Sequence, residues 1–137
     1  MNRVLAIDFG DARVGLAISD QSQTLASGYG FVKFKGFNDL VEKLLEICEK
    51  EEVGEIAVGH PLNMNGSRGP SANKAEKLAE LLKIKINYPV NLVDERLTTV
   101  EAGRQIHASG KKIRKGRIDE VAATIILQAF LDGKKQQ

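Results

Sequence analysis

The apolar residues of this chain change their period several times, and each change marks an element. Val4-Leu5-Ala6-Ile7 is a short unbroken apolar run ending at Asp8, which predicts a buried strand from Arg3 to Ile7. Gly10 and Asp11 predict a turn, and Val14 to Ile18 a second strand. So short a connection implies an antiparallel hairpin. Tyr29 to Phe34, aromatic and β-branched, predicts a third strand, and Gly36 breaks the chain. The period then turns helical: Phe37, Leu40, Val41, Leu44, Leu45 and Cys48 fall on one face. Ile56-Ala57-Val58 predicts a buried strand that stops at Gly59, and the Gly-, Asn-, Ser- and Pro-rich stretch from His60 to Pro70 a loop. Ser71 is expected to cap a second helix whose apolar face carries Ala72, Ala75, Leu78, Ala79 and Leu82. Val90 to Val93 is another short strand, followed at once by Asp94 and Glu95. Thr98 or Thr99 can cap a third helix through about His107, and a basic, glycine-containing linker runs from Ser109 to Gly116. A last helix through about Leu131 is apolar on most faces and should pack deeply, ahead of a polar tail over about 132–137.

Antiparallel strands therefore come first and strand–helix units follow. The order predicts an α/β fold, with a mixed central β-sheet (antiparallel strands first, then parallel strands) flanked by α-helices. Neither an internal repeat nor a low-complexity tract interrupts the pattern, so the expectation is a single domain over 1–137.

Composition narrows the class. At 137 residues the chain can bury roughly two-thirds of its unfolded surface, enough to fold without a disulfide or metal staple. With 42% hydrophobic and 28% charged residues it is not a disordered composition. Its one cysteine excludes an internal disulfide and suits a reducing compartment. The sequence offers no run near the ~20 apolar residues of a membrane span. Met1-Asn2-Arg3 leads into an apolar stretch too short for a signal peptide. The expectation is a soluble, cytoplasmic protein with no membrane partner. The net charge is +2, but the segment from Lys111 onward carries +4 and the rest −2. Positive charge gathered at Lys111, Lys112, Arg114, Lys115 and Arg117 suits a contact patch for a nucleic-acid backbone; a solvated charged loop would look the same.

Three acids lie beside apolar sequence. Asp8 ends the first strand, Glu95 ends a later one, and Asp119 opens the last helix. Ala122, Ala123, Ile126 and Phe130 share the helix face of Asp119, which turns it toward the sheet. Carboxylates meeting at one sheet edge repel each other unless a divalent cation intervenes. Mg²⁺ or Mn²⁺ accepts such hard oxygen ligands. Two such ions ~4 Å apart can hydrolyse a phosphodiester, with Asp8 bridging them and Glu95 and Asp119 at the sides. On spacing alone, ordinary roles stay open: Asp119 can favour a helix N-terminus and Glu95 can pair with Arg96 or a lysine.

Four blocks carry a resemblance. They are Leu5 to Asp20 (LAIDFGDARVGLAISD), Val58 to Ser67 (VGHPLNMNGS), Val93 to Thr99 (VDERLTT) and Asp119 to Gln128 (DEVAATIILQ). Together they resemble the YqgF/RuvX family, in family order and over nearly the whole chain. The resemblance implies a ribonuclease H-like fold related to the Holliday junction resolvases, and a metal-dependent nuclease. The family is described both as a Holliday junction resolvase and as the nuclease that matures the 5′ end of pre-16S ribosomal RNA. Its acidic site maps onto Asp8, Glu95 and Asp119. His60 departs from the pattern, standing where the family more often has an apolar residue.

Arg13 and Arg96 lie inside the motif blocks and can hold a phosphate or fix a carboxylate. The Gly59–Gly69 stretch can bring backbone amides to a phosphate or be an ordinary connection. A general-base role for His60 is open, His107 is isolated, and Cys48 is expected in the core. With few evident exposed aromatics, recognition should favour backbone and shape over base stacking. The leading expectation is a hydrolase acting on RNA in 5′ maturation of pre-16S rRNA, associated with ribosomal precursors. The first alternative is resolution of branched DNA. Others are a phosphotransferase or ATPase, since Ile7-Asp8-Phe9-Gly10 also looks like a phosphate loop of the actin and sugar-kinase superfamily, and a non-catalytic nucleic-acid-binding transcription or ribosome-assembly factor. Junction cutting would favour a homodimer, whereas trimming one RNA end does not require one and a monomer would serve.

Overall fold

The computed structural model describes residues 2–10, 12–97 and 115–135. They form a five-stranded sheet in the order β3-β2-β1-β4-β5 and three α-helices. The strands are β1 (Arg3–Phe9), β2 (Arg13–Ser19), β3 (Ala26–Lys33), β4 (Val53–His60) and β5 (Val90–Asp94). The helices are α1 (Phe37–Lys50), α2 (Pro70–Lys85) and α3 (Lys115–Lys135). β1, β2 and β3 pair antiparallel, whereas β4 pairs parallel with both β1 and β5. This is the mixed sheet that the element order predicts. The expected third helix from Thr98 or Thr99 to His107, Asp11 and most of the basic linker, including Lys111, Lys112 and Arg114, lie outside the described residues.

Alternation along the strands splits the core in two. Leu5, Ile7, Val14, Leu16, Ile56 and Val58 turn to one face, where Leu40 and Leu44 of α1 and Leu78 and Leu82 of α2 cover them. Val4, Ala6, Ala17 and Ala57 turn to the other, under Ala123, Leu127 and Leu131 of α3. The α3 face is lined with small residues, so the helix lies close to the sheet. Each fully buried leucine there contributes about 2 kcal/mol of transfer free energy. Gln128 fixes the helix register: its Oε1 accepts from Ala26 N at 3.0 Å and its Nε2 donates to Thr24 O at 3.1 Å.

Several boundaries differ from the sequence expectation. β1 includes Asp8 and Phe9, and β3 starts at Ala26 rather than Tyr29. Ser71 does not cap α2; Gly69 occupies the cap and Pro70 the first turn, where a proline loses no hydrogen bond. α3 runs past Leu131 to Lys135, so most of the expected tail is helical. Lys134 Nζ accounts for part of that extension, donating to Gln23 Oε1 at 3.0 Å and pairing with Glu55. Cys48 is buried as expected, and burial pushes its thiol pKa up.

Glu120 pins the start of α3 to the outer strand, because Gly30 N donates to Glu120 Oε2 at 2.6 Å. Glu120→Ala leaves that amide without its acceptor and is expected to cost about 1–3 kcal/mol, read from the urea unfolding midpoint.

Candidate functional site

The parallel strands β1, β4 and β5 end together, at Phe9, His60 and Asp94. In open α/β sheets this carboxyl edge is where ligands bind. Asp8 is on β1, two and four residues beyond Ala6 and Val4, and therefore on the α3 face. Its antiparallel partner is Gly15 on β2. On the other side the parallel register runs Ile7↔Val58, which brings Gly59 beside Asp8. Asp8 is 1% exposed and Asp119 8%.

Two glycines locate the other carboxylates. A Cβ on Gly10 would overlap the Asp119 carboxylate, so that group lies against the chain two residues past Asp8. A Cβ on Gly59 would come within 2.8 Å of Glu95 Oε2 and 2.7 Å of Ile126 Cδ1, so Glu95 reaches back over β4 toward α3. Gly15 meets the backbone of Asp119 and Glu120, which lets α3 descend to the level of Asp8. All three acids singled out in the sequence thus face the same side of the sheet, at one end.

Asp119 is not a helix-terminal residue. α3 begins at Lys115 and has no acid in its first turn, so the helix-dipole role left open by the sequence does not apply. Arg13 Nη1 lies 3.9 Å from Asp119 Oδ2, with both side chains largely buried. Arg96 pairs with Asp94. Its Nε and Nη2 grip Asp94 at 3.1 and 2.8 Å, and its backbone N donates to Asp94 Oδ1 at 2.9 Å. This grip holds the Asp94 carboxyl below the usual carboxylate range. The Arg96 N–H bond to Asp94 ties the strand end to the 3-10 turn Glu95–Leu97. Arg96 Nη1 donates to Met64 O at 3.4 Å, linking the turn to the 61–69 loop.

That loop has its own internal order. Gly66 N donates to Asn63 O, and Asn63 N to Ser67 O; the turn requires the positive φ of 86° at Gly66. His60 points to the opposite face, toward α2, with Nε2 2.7 Å from Glu76 Oε2, while Arg68 Nη1 donates to Glu76 Oε1 at 2.8 Å. The hydrogen bond with His60, with the Arg68 charge beside it, holds the Glu76 carboxyl low. A general-base role for His60 beside the acids is therefore not supported, and its polarity is explained by α2. Arg117 is exposed on α3 and lines, with Gly28, Glu120, Val121, Thr124 and Ile125, a groove of about 360 Å³ between β3 and the helix.

The donor set at the site is oxygen only and anionic, which suits hard divalent cations such as Mg²⁺ or Mn²⁺. Among the described residues, the acids are not closed into a group of three or more metal-holding side chains. The sequence reading missed Phe31, an exposed aromatic on β3 whose ring lies 5.9 Å from the Arg13 guanidinium. Its exposure depends on strand register, which no local pattern reveals.

A family model described as "RuvX: Holliday junction resolvase" matches residues 2–133. A protein of Caldanaerobacter subterraneus subsp. tengcongensis named "Putative pre-16S rRNA nuclease" is 44% identical over 137 residues, covering 97% of this chain and 98% of its own. One of the same name from Clostridium acetobutylicum is 41% identical over 132 residues, covering 95% and 98%. Among solved structures, Thermus thermophilus RuvC in complex with a Holliday junction substrate superposes with a TM-score of 0.59 at 15% identity, covering 98% of this chain and 96% of that one. The fowlpox virus Holliday junction resolvase gives 0.56 at 11% identity, covering 96% and 99%. At such identities the likeness is one of fold, the RNase H-like fold of resolvases. Among the described residues, no helix is long and apolar enough to cross a membrane.

Proposed function

Because this chain belongs to the RuvX (YqgF) family, we propose that it is a nuclease that hydrolyses phosphodiester bonds of RNA, in 5′-end maturation of pre-16S ribosomal RNA. What supports the chemistry is that Asp8 opposite Gly15, Asp119 against Gly10 and Glu95 against Gly59 each lie on the α3 face near the carboxyl edge of the parallel strands. The substrate class comes from relatives at about 40% identity over nearly their full length.

Asp8, Glu95 and Asp119 would hold the Mg²⁺ or Mn²⁺ ions of a two-metal site. When bound, such ions lower the pKa of a coordinated water and offset charge on the phosphodiester oxygens. The chain's own residues prepare that site. Gly10, Gly15 and Gly59 leave room for two of the carboxylates and for the backbone of α3. The Arg96–Asp94 grip orients Glu95, so Arg96 acts as a positioning residue rather than a substrate contact. Arg13 keeps Asp119 in place and presents positive charge at the rim. Lys111, Lys112, Arg114, Lys115 and Arg117 immediately precede Asp119 in sequence, and this basic run would meet the nucleic-acid backbone.

A second reading, resolution of branched DNA, is favoured by the description of the family model and by the likeness of fold to RuvC. One assay separates the two. Precursor RNA with its 5′ extension and a four-way DNA junction are offered side by side with Mg²⁺ or Mn²⁺. The proposal expects metal-dependent shortening of the RNA at its 5′ side and an intact junction. Symmetric nicking of the junction with untouched RNA would replace it by the second reading.

A further inference from the structure

We propose, resting on the nuclease reading above, that Phe31 is a stacking platform for an unpaired nucleobase beside the bond to be cut. Arg13 and Lys33 would meet the phosphates on either side of it. β3 is the outer strand of the described sheet next to β2, and Phe31 lies directly opposite Gly15. Gly15 is the partner of Asp8, so Phe31, Gly15 and Asp8 lie in one row across the sheet. Gly15 packs against the backbone of Asp119, which places this row on the α3 face with the acids. Because Gly15 carries no side chain, nothing on β2 at that rung covers the ring. Phe31 is 42% exposed.

The contrast with the other phenylalanines is direct. Phe9, Phe34 and Phe37 pack on one another against the core of the opposite face, with centroids 6.1 and 6.2 Å apart. Phe37 and Phe130 also have a lysine over the ring, at 4.7 and 5.3 Å, but both pack against the core, whereas Phe31 is exposed beside its cation. The Arg13 guanidinium is 5.9 Å from its centroid and 3.9 Å from Asp119, so one arginine joins the ring to the acidic site. Lys33 is the rung partner of Arg13, on the same face, and exposed. An accessible π-face flanked by basic side chains is the pattern that holds single strands without reading sequence. A fully paired duplex keeps its bases stacked and cannot use the ring. The substrate class is then a single-stranded or splayed strand, with an unpaired base next to the scissile phosphate.

The test uses the full chain with Ca²⁺ in place of Mg²⁺. One probe is a single-stranded RNA of about a dozen nucleotides containing 2-aminopurine; the other is a blunt duplex of the same sequence. Phe31→Ala is expected to weaken single-strand binding about tenfold. It should abolish the aminopurine quenching and leave duplex binding and the salt slope unchanged, since no phosphate contact is lost. Phe31→Leu, which keeps apolar bulk without a π-face, should behave like the alanine variant, and Phe31→Trp like the wild type. Wild-type-like binding and quenching by both Phe31→Ala and Phe31→Leu would overturn the stacking role alone. A wild-type chain that binds neither probe would overturn this role and the nuclease reading together.

Discussion

Asp8→Asn is expected to lower metal-dependent RNA cleavage by on the order of a thousandfold or more, while the chain stays folded. The amide has nearly the shape of the carboxylate but no negative charge, so what is lost is the attraction for a cation and not the packing. Asp8 is 1% exposed and shares its sheet face with two further acids. Neutralising one of several converging carboxylates relieves repulsion, so the melting temperature should hold or rise. Initial rates with Mg²⁺ and a thermal melt, made on the same preparation, check both halves. Glu95→Gln and Asp119→Asn are expected to follow the same pattern. Wild-type rates in any of the three would remove that residue from the site.

Gly15→Ala is the second large effect, and it acts through the backbone. The added methyl would collide with the carbonyl of Asp119 and approach Glu120 N at 2.6 Å. A backbone cannot rotate out of the way as a side chain can, so α3 must lift from the sheet. The expected cost is roughly 3 kcal/mol, at the upper end of overpacking effects, together with loss of cleavage as Asp119 leaves its place. Gly59→Ala is the control. The atoms nearest its methyl are the side-chain ends of Ile126 and Glu95, which can yield. Stability should fall by about 1 kcal/mol, while cleavage drops because Glu95 is the group displaced. Urea midpoints and cleavage rates of the two variants separate helix docking from carboxylate placement. Equal stability losses would contradict this division.

The local pattern of the sequence carries much of this architecture and little of the site's assembly. The apolar runs at Val4–Ile7 and Val14–Ile18 are short and bounded by turn residues, so the hairpin is legible from neighbours alone. α1 and α2 follow from their helical spacing. The boundary at Pro70 had its own signal, since proline is favoured in a first helical turn. What brings the acids to one face is not local. It needs the parallel register of β1 with β4, whose sequence partners lie about fifty residues apart, and the descent of α3 onto Gly15. The four motif blocks supplied by resemblance what spacing could not. Arg96 went to Asp94, two residues away, because the 3-10 turn folds the guanidinium back on the strand end. His60 turned to Glu76 because its place on β4 alternates with Gly59. Phe31 was hidden by the irregular register between β2 and β3 near Gly15 and Ala17, which breaks the two-residue alternation from which exposure would be read.

The central claim is that Asp8, Glu95 and Asp119 form one cation-holding site. It is tested most directly by titrating Mn²⁺ into the wild-type chain and into Asp8→Asn, following free Mn²⁺ by electron paramagnetic resonance. The account predicts saturable binding by the wild type, loss of that binding in Asp8→Asn, and competition by Mg²⁺. Equal Mn²⁺ uptake by both chains, or none by the wild type, would contradict it.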